Sequence, residues 1–354
     1  MKPIEKAYAQ WLALQPLDER TQYKISQRFT IDFNYNSNHM EGNTLTYGQT
    51  ELLLLFGKVT GEADMKDFEE MKASDVGLKM MEVEALIQGK PLTQNFIRQL
   101  HKTLLREDYR IYRPLPGGEY TSYVIHAGQY KTRPNSVVTR TGERFEYASP
   151  EETPALMTDW VDWYNETEQE GKMTPVELAA LFHYRYIRIH PFEDGNGRIA
   201  RLLVNYILAR HHYPMIVIRS RKKKEYIDAL SASDKVVGTT PSKGARATLR
   251  EIRHFLDYFT RLVTDEIVNE VRFATIHDEH TWWYDGEMVR FRSDTTSKIL
   301  TAIMMDTGIS IKEISNQAGV SVSAVNKHLK SLMDKRYIQR KENGDWHVII
   351  YPSA

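Results

Sequence analysis

The chain has 354 residues, of which 41% are hydrophobic and 27% are charged, and its 47 basic and 47 acidic residues give a formal net charge of zero. This composition is typical of a globular protein of two or three domains, because single cores rarely grow beyond about 250–300 residues. The charge balance excludes an overall field that attracts nucleic acid, and the absence of cysteine excludes disulfides, thiol catalysis and Cys-ligated zinc.

The N-terminus has no apolar signal segment, and no run of about 18 apolar residues occurs in the chain. We therefore expect no membrane partner and, by default, a cytoplasmic location. Residues 1–110 are predicted to be helical, with one helix running from about Asp18 toward Met40. Thr46 and Gln49 have the spacing of a capping box, which predicts that another helix begins there.

From about Gly117 the residue types change and favour strands up to Glu146. The strand formers are Tyr120, Tyr123, Val124, Ile125, Val137, Val138 and Thr139. Pro134-Asn135 and Thr141-Gly142 are typical turn pairs. The pattern predicts a β-hairpin over about residues 118–146, for which a plain surface hairpin is one interpretation.

Two amphipathic helices are predicted on either side of a polar loop at residues 190–198. The first should begin after Thr174, where Pro175 and Glu177 complete a capping pattern, and should end near His190 because a proline follows. Apolar residues recur at helical spacing in both helices, at Ala179, Phe182, Tyr186 and Ile189 and then at Ile199, Leu202, Leu203, Tyr206 and Ile207.

The loop between these helices predicts a phosphate site. Glycines at positions 195 and 197 allow a ligand to approach the backbone, and consecutive N–H groups before a helix form an anion site. Arg198 and Arg201 lie in the first turn of the second helix, where cations oppose the helix dipole, so a polyphosphate partner would explain them. Asp194 is a suitable oxygen ligand for Mg²⁺, and His190 can accept a proton near neutral pH.

The segment from His190 to Arg201 matches the signature His-x-Phe-x-(Asp/Glu)-Gly-Asn-Gly-Arg-x-x-Arg at every fixed position, and so resembles the Fic family of nucleotidyltransferases. The surrounding helices, from about residue 90 to 265, are also similar to the Fic core. The resemblance implies a mainly α fold, with an all-helical core and a small β-hairpin flap. It also implies that a target Ser, Thr or Tyr hydroxyl attacks the α-phosphate of ATP and expels pyrophosphate.

Site roles follow from the same resemblance. His190 is expected to be the general base, and Asp194 is expected to hold Mg²⁺. ATP would be bound by Gly195, Asn196, Gly197, Arg198 and Arg201, the two arginines pairing with its β/γ end. Phe192 is expected to anchor the loop in the core. The hairpin falls where the flap of the family lies, and there it would hold the target by main-chain pairing.

Residues 37–42, Ser-Asn-His-Met-Glu-Gly, form a second motif. Ser37 and Glu41 share a helix face, and Glu41 is near a helix C-terminus, where a negative charge is unfavourable. The segment resembles the inhibitory motif (Ser/Thr)-x-x-x-Glu-(Gly/Asn) of the Fic family. The resemblance implies that Glu41 pairs with Arg201 and suppresses transfer, and in some relatives the same glutamate is linked to removal of AMP from the target.

The basic run at residues 219–224 is either a solvated loop or the rim of the nucleotide pocket. By their positions relative to the Fic family, Lys222 and Tyr226 are candidates to lie near the adenine.

The C-terminal residues 293–354 resemble a winged helix, with helical patterns followed by two strands around Asn343-Gly344. The segment expected to form the recognition helix and the first strand of the wing, residues 321–341, has six basic residues and one acidic residue, a net charge of +5. Winged helices bind DNA or dock proteins, and both interpretations stay open.

The predicted organisation is therefore an N-terminal helical region at 1–110 with the inhibitory motif, a Fic core at 111–265, a linker at 266–292 and a winged helix at 293–354. The predicted enzyme is an autoinhibited protein adenylyltransferase whose partners are hydroxyl-bearing proteins, including itself, and DNA through the winged helix; a homodimer is also left open. The alternatives are transfer of a different phosphate-containing group, or a DNA-binding regulator that uses the Fic core as a nucleotide sensor.

Overall fold

The computed structural model describes residues 2–59, 61–114, 119–138, 144–341 and 343–352. These residues form a mainly α-helical protein, which confirms the predicted fold class. The helices are α1 (Pro3–Leu12), α2 (Glu19–His39), α3 (Tyr47–Phe56), α4 (Met65–Ala85), α5 (Gln94–Leu105), α6 (Thr153–Glu170), α7 (Pro175–Ile189), α8 (Asn196–Arg210), α9 (Lys223–Val237), α10 (Pro241–Ala245), α11 (Arg253–Thr275), α12 (Asp294–Met305), α13 (Ile311–Ala318) and α14 (Val322–Asp334). In the described parts of the chain, no helix combines the length and the apolar composition needed to cross a membrane.

Antiparallel strands are short and lie outside the helical core. They are β1 (Tyr109–Pro114), β2 (Tyr120–Ile125), β3 (Val137–Val138), β4 (Arg144–Phe145), β5 (Thr281–Tyr284), β6 (Glu287–Arg290), β7 (Ile338–Arg340), β8 (Trp346–Val348) and β9 (Tyr351–Pro352). The pairs are β1 with β2, β3 with β4, and β7 with β8, while β6, β5 and β9 form a three-stranded sheet.

Local sequence signals set the helix ends as predicted. The hydroxyl of Thr46 accepts the backbone N–H of Gln49, whose side chain in turn accepts the backbone N–H of Thr46. Thr174 and Glu177 make the same reciprocal pair at the start of α7. Each box satisfies backbone donors that a helix N-terminus otherwise leaves without partners.

α8 is almost completely buried and contacts α7, α4, α2 and α5. It packs against α7, and its apolar residues Ile199, Leu202, Leu203, Tyr206 and Ile207 are at most 1% exposed. A helix with nearly every face buried is fixed by packing on all sides. The loop that precedes α8 is therefore held at one end of a rigid element.

The predicted hairpin over residues 118–146 is paired differently in the structure. β2 pairs with β1, with Tyr109 opposite Ile125 and Pro114 opposite Tyr120, and not with the residues after 136. β1 and β2 are separated by five residues of sequence, whereas β2 and β3 are separated by eleven, so pairing β2 with β1 has the lower entropic cost of loop closure. Val137–Val138 instead pairs with Arg144–Phe145. Thr139 and Thr141-Gly142 lie outside the described residues.

The C-terminal domain has the winged-helix arrangement, with α12, α13 and α14 followed by the β7–β8 wing. The segment 266–292, expected to be a linker, is folded: α11 continues to Thr275, and β5 and β6 form a hairpin. Trp282 of β5 is buried in the core of the winged helix and lies opposite Pro352 of β9. The β5–β6 hairpin is therefore part of the C-terminal domain and is not a solvent-exposed linker.

The winged helix packs directly on the N-terminal helices. Ile31, Tyr47 and Ile349 form a small apolar cluster between α2, α3 and the C-terminal end. Beside it, Nε2 of the buried His347 lies 2.7 Å from Oε2 of the buried Glu51. The N-terminal and C-terminal regions therefore share a continuous interior.

A buried charge cluster extends this contact. The guanidinium of Arg219 pairs with Asp32 at 2.8 Å, with Glu266 at 2.9 Å and with Asp285 at 3.0 Å. These carboxylates come from α2, α11 and the β5–β6 turn, so one arginine joins three parts of the chain. Removing a partner from such a cluster is costly because the remaining charges are buried.

Candidate active site

His190 closes α7 and begins the glycine-containing loop. Its backbone is left-handed, with φ 51° and ψ 60°, and its N–H donates to the carbonyl of Tyr186 at 2.9 Å. Gly195, with φ 76°, precedes α8, and no side-chain hydrogen bond caps that helix among the described residues. The first N–H groups of α8 have no partner within the helix, as at any helix N-terminus, and this is where the sequence predicts an anion site.

Phe192 and Asn196 hold the loop in shape. Phe192 is fully buried, and its ring stacks on that of His101 at 3.7 Å, in agreement with its predicted role as an anchor. Asn196 Oδ1 accepts the Phe192 N–H at 3.0 Å, and its Nδ2 donates to the Phe192 carbonyl at 2.7 Å. The Asn196 side chain is thus engaged inside the loop, so its backbone N–H is the group left for a phosphate.

Asp194 faces a cavity of about 250 Å³ that is also lined by Arg198 and Tyr109. Its Oδ1 accepts the Gly195 N–H at 2.6 Å, and its Oδ2 accepts the Tyr109 hydroxyl at 2.5 Å. Burial acts to raise the pKa of Asp194, but the nearby Arg198 charge and these hydrogen bonds lower the pKa overall. The side chain is 47% exposed and ionised, which suits an oxygen ligand for a divalent cation.

Arg198 and Arg201 are buried beside the start of α8. Arg198 lies 3.7 Å from Asp194, and its Nε has no hydrogen-bond partner among the described residues. Arg201 donates from Nε to the Ser37 hydroxyl at 3.0 Å and from Nη2 to the Ser37 carbonyl at 2.8 Å. Buried guanidinium groups with spare donor capacity are suited to a polyanion.

Glu41 completes the contacts of Arg201. Its Oε1 accepts from Arg201 Nη2 at 2.6 Å, and a Cβ added at Gly197 would lie 2.4 Å from the same oxygen. Burial acts to raise the pKa of Glu41, but Arg201, with help from Arg198 and Lys223, lowers that pKa overall. An ionised carboxylate therefore lies against the N-terminus of α8, where an anionic ligand would bind.

His190 is enclosed by residues that the sequence did not single out as functional. Its ring stacks on Tyr147 at 4.0 Å, and its Nδ1 lies 2.8 Å from Nδ2 of Asn135. Burial, with repulsion from Lys131, lowers the pKa of His190 to about 3, although Asp194 acts in the opposite direction. The imidazole is therefore neutral at pH 7. The only local signal at Asn135 was the Pro-Asn pair, which predicts a turn and no contact with a distant histidine.

Lys222 and Tyr226 lie differently with respect to this loop. Lys222 is exposed, in a short 3-10 turn, whereas its neighbour Lys223 donates to the carbonyl of Met40 at 2.6 Å. Tyr226 is buried, and its hydroxyl lies 2.8 Å from Nε2 of His183. The basic run is not uniformly solvated, because Arg219 at its start is one of the buried ion-pairing residues.

Two family models match the chain. The Fic/DOC family matches residues 91–208, and a winged helix-turn-helix DNA-binding family matches residues 292–339. Among curated proteins, the chain is 30% identical over 200 residues to protein adenylyltransferase Fic of Drosophila willistoni and 29% identical over 201 residues to protein adenylyltransferase fic-1 of Caenorhabditis elegans. Each match covers 56% of this chain but only 36% of the relative, so the chain spans about a third of those proteins.

Solved structures extend the similarity to more of the chain. A Fic domain containing signaling protein from Bacteroides thetaiotaomicron is 53% identical, with a TM-score of 0.71, over 77% of this chain and 96% of that one. Fic-1 of C. elegans has the same fold at 23% identity, with a TM-score of 0.58, over 76% of this chain and 71% of that one. High identity over nearly the whole of the bacterial protein, together with the complete loop at residues 190–201, shows that the chain belongs to the Fic family.

Proposed function

We propose that the chain transfers AMP from ATP to a Ser, Thr or Tyr hydroxyl of a target protein. The observation that carries this proposal is the loop before α8, where a neutral His190, an ionised Asp194 and two buried arginines surround uncapped helical N–H groups. This arrangement offers a proton acceptor, an oxygen ligand and a polyphosphate site within one short segment. The names of the curated relatives, protein adenylyltransferases, support the same reaction.

In the proposed reaction, the target hydroxyl oxygen forms a bond to the α-phosphorus of ATP as the bond to pyrophosphate breaks. His190 accepts the hydroxyl proton. The backbone of Gly195, Asn196 and Gly197 would cradle the phosphates, with the Asn196 and Gly197 N–H groups as donors because that of Gly195 is held by Asp194. Arg198 and Arg201 would offset the charge at the β/γ end. Asp194 fits Mg²⁺, which when bound would neutralise phosphate charge. The hairpin strands near the loop would hold the target by main-chain pairing.

The same proposal includes autoinhibition. Glu41 occupies Arg201 and lies over Gly197, so it competes with the terminal phosphate for both an arginine and the helix N-terminus. Ser37 contributes by accepting a further Arg201 hydrogen bond, which keeps the arginine turned toward α2. A carboxylate held there could also serve the reverse process, removal of AMP from the target.

The test compares His190→Ala with the parent on the Glu41→Gly background. We expect loss of label transfer from ATP with ATP binding retained, because His190 moves a proton and does not hold phosphate. The matched control is His254→Ala, a histidine exposed on α11. Undiminished transfer by His190→Ala would refute the assignment, and would favour the alternative of a DNA-binding regulator with a nucleotide-sensing core.

A second candidate function, DNA binding, rests on the outer face of the winged helix. Lys327, Lys330, Lys335 and Arg336 are exposed on or just after α14, on the side away from the core. In the full chain, Lys327→Glu with Lys330→Glu should weaken binding to duplex DNA at low salt, whereas Lys243→Glu in the catalytic core should not. If the parent, the Lys327→Glu/Lys330→Glu variant and the Lys243→Glu variant bound DNA equally, protein docking by this domain would be favoured.

Three further expectations stay predictions. Lys222 and Tyr226 are proposed to lie near the adenine, where the buried Tyr226 would line one side of its pocket. A cytoplasmic location stays an expectation from the sequence, and whether the chain forms a homodimer is left open.

A further inference from the structure

The orientation of the Asn135 amide is fixed by its surroundings. Its Nδ2 donates to the carbonyl of Phe192 at 2.7 Å and lies 3.1 Å from that of His190. Its Oδ1 accepts from the ammonium of Lys131 at 2.9 Å. Exchanging the amide nitrogen and oxygen would place oxygen against two carbonyls and nitrogen against a cation. The group that Asn135 presents to His190 is therefore an NH₂ donor.

The second neighbour of the same ring nitrogen is also a donor. Asn196 Oδ1 accepts the Phe192 N–H, which fixes the Asn196 amide and turns its Nδ2 toward His190 Nδ1 at 3.2 Å. Nδ1 of His190 thus has an NH₂ group at 2.8 Å and another at 3.2 Å. An imidazole nitrogen between two donors is stable only as an acceptor, so the ring hydrogen is on Nε2.

We propose that Asn135 is a positioning residue that holds His190 in the Nε2–H tautomer and must turn or withdraw for His190 to act as a base. This inference rests on the proposed function. When His190 takes the hydroxyl proton, both ring nitrogens carry hydrogen, and Nδ1–H then points at two donors. Proton acceptance therefore requires an acceptor in place of the Asn135 NH₂ group, whichever nitrogen receives the proton.

The position of Asn135 gives this requirement a specific consequence. Asn135 lies on the segment between β2 and β3, two residues before Val137, where β3 begins and pairs with β4. A target segment that paired with β3 or β4 would therefore lie next to the backbone that carries Asn135. Base activation is in this way linked to the presence of a protein substrate. The low pKa of His190 agrees with an environment that resists protonation.

The test uses the full chain labelled with ¹⁵N-histidine, in which the His190 signals are identified by comparison with His190→Ala. Imidazole ¹⁵N shifts distinguish a protonated nitrogen from an unprotonated one. The parent should show hydrogen on Nε2. Asn135→Asp offers a carboxylate that accepts from Nδ1–H once it turns away from the carbonyls of His190 and Phe192, and it should move the hydrogen to Nδ1. Asn135→Ala should give a mixture. The control is Asn165→Asp, which changes an amide that bridges to Leu92 and should leave His190 unaltered.

Hydrogen on Nδ1 in the parent, or an unchanged tautomer in both Asn135 variants, would overturn the proposal. On the Glu41→Gly background, Asn135→Asp should also transfer label faster, on the order of tenfold, because the imidazolium gains an acceptor. Equal or slower transfer by a folded Asn135→Asp protein with hydrogen on Nδ1 would also count against it. The tautomer is measured without ATP or target, so complete absence of transfer in every variant would refute the proposed function while the tautomer assignment stands.

Discussion

Replacing Glu41 with glycine removes the carboxylate that lies against the start of α8. In the structure this carboxylate pairs with Arg201 at 2.6 Å and lies where an added Cβ at Gly197 would meet it. Without it, Arg201 keeps its contacts to Ser37 but has a free Nη2 position for a terminal phosphate. We therefore expect Glu41→Gly to transfer label faster than the parent.

The size of this effect follows from the exposure of the pair. The Arg201 side chain is 4% exposed, whereas that of Glu41 is 40% exposed, so solvent screens one partner. A hydrogen bond to a charged group contributes about 1.5–3 kcal/mol, and screening reduces this to about 1–2 kcal/mol. Because about 1.4 kcal/mol corresponds to a tenfold change in rate, we expect transfer to be about five- to thirtyfold faster.

The assay follows incorporation of label from ATP carrying a radioactive α-phosphate, with self-modification as the first readout. Asp159→Gly is the control, because Asp159 on α6 pairs with Arg246 at the same distance of 2.6 Å, away from the candidate site. Glu41→Gly combined with Arg201→Ala should be slow again. A Glu41→Gly protein no faster than Asp159→Gly, or a fast double variant, would refute the reasoning.

Three further results are expected. Arg219→Met should lower the free energy of unfolding by about 3–5 kcal/mol, since it leaves buried carboxylates unpaired; an unchanged urea midpoint would contradict this. Burial lowers the pKa of His183 to about 3, so below about pH 6.5 the unfolded chain binds a proton that the folded chain does not. The free energy of unfolding therefore decreases as the pH is lowered. In urea titrations between pH 6 and 4, His183→Gln should remove about 1.4 kcal/mol per pH unit from that slope. Asp194→Asn should abolish any Mg²⁺ dependence of ATP affinity in calorimetry, and a retained dependence would assign the metal elsewhere.

The catalytic loop was accessible from sequence because its residues are contiguous and each has a distinctive backbone or charge requirement. The helices on either side were equally accessible, since their capping residues act on donors only three positions away. The proximity of Glu41 to Arg201, 160 residues apart, could not be worked out from local chemistry. It came from the resemblance to an inhibitory motif.

Other contacts had no local signal. Asn135 meets His190 across 55 residues, and a Pro-Asn pair predicts only a turn. The pairing of β2 was mispredicted because strand propensity marks a strand without identifying its partner. The arginine-containing segment at 109–114 also has a weaker strand propensity than residues 120–125. Similarly, Trp282 in the expected linker gave no indication of the core in which it would be buried.

The shared interior of the N-terminal helices and the winged helix limits what a deletion can isolate. A chain that ended before residue 293 would lose Ile349 from the cluster with Tyr47 and would leave Glu51 without His347. It would also lose the domain that anchors the β5–β6 turn, whose Asp285 accepts from Asn36, the residue preceding Ser37. A truncated chain would therefore differ from the intact one at α2, which carries Ser37, as well as at its missing domain, and a transfer assay on it would report both changes together.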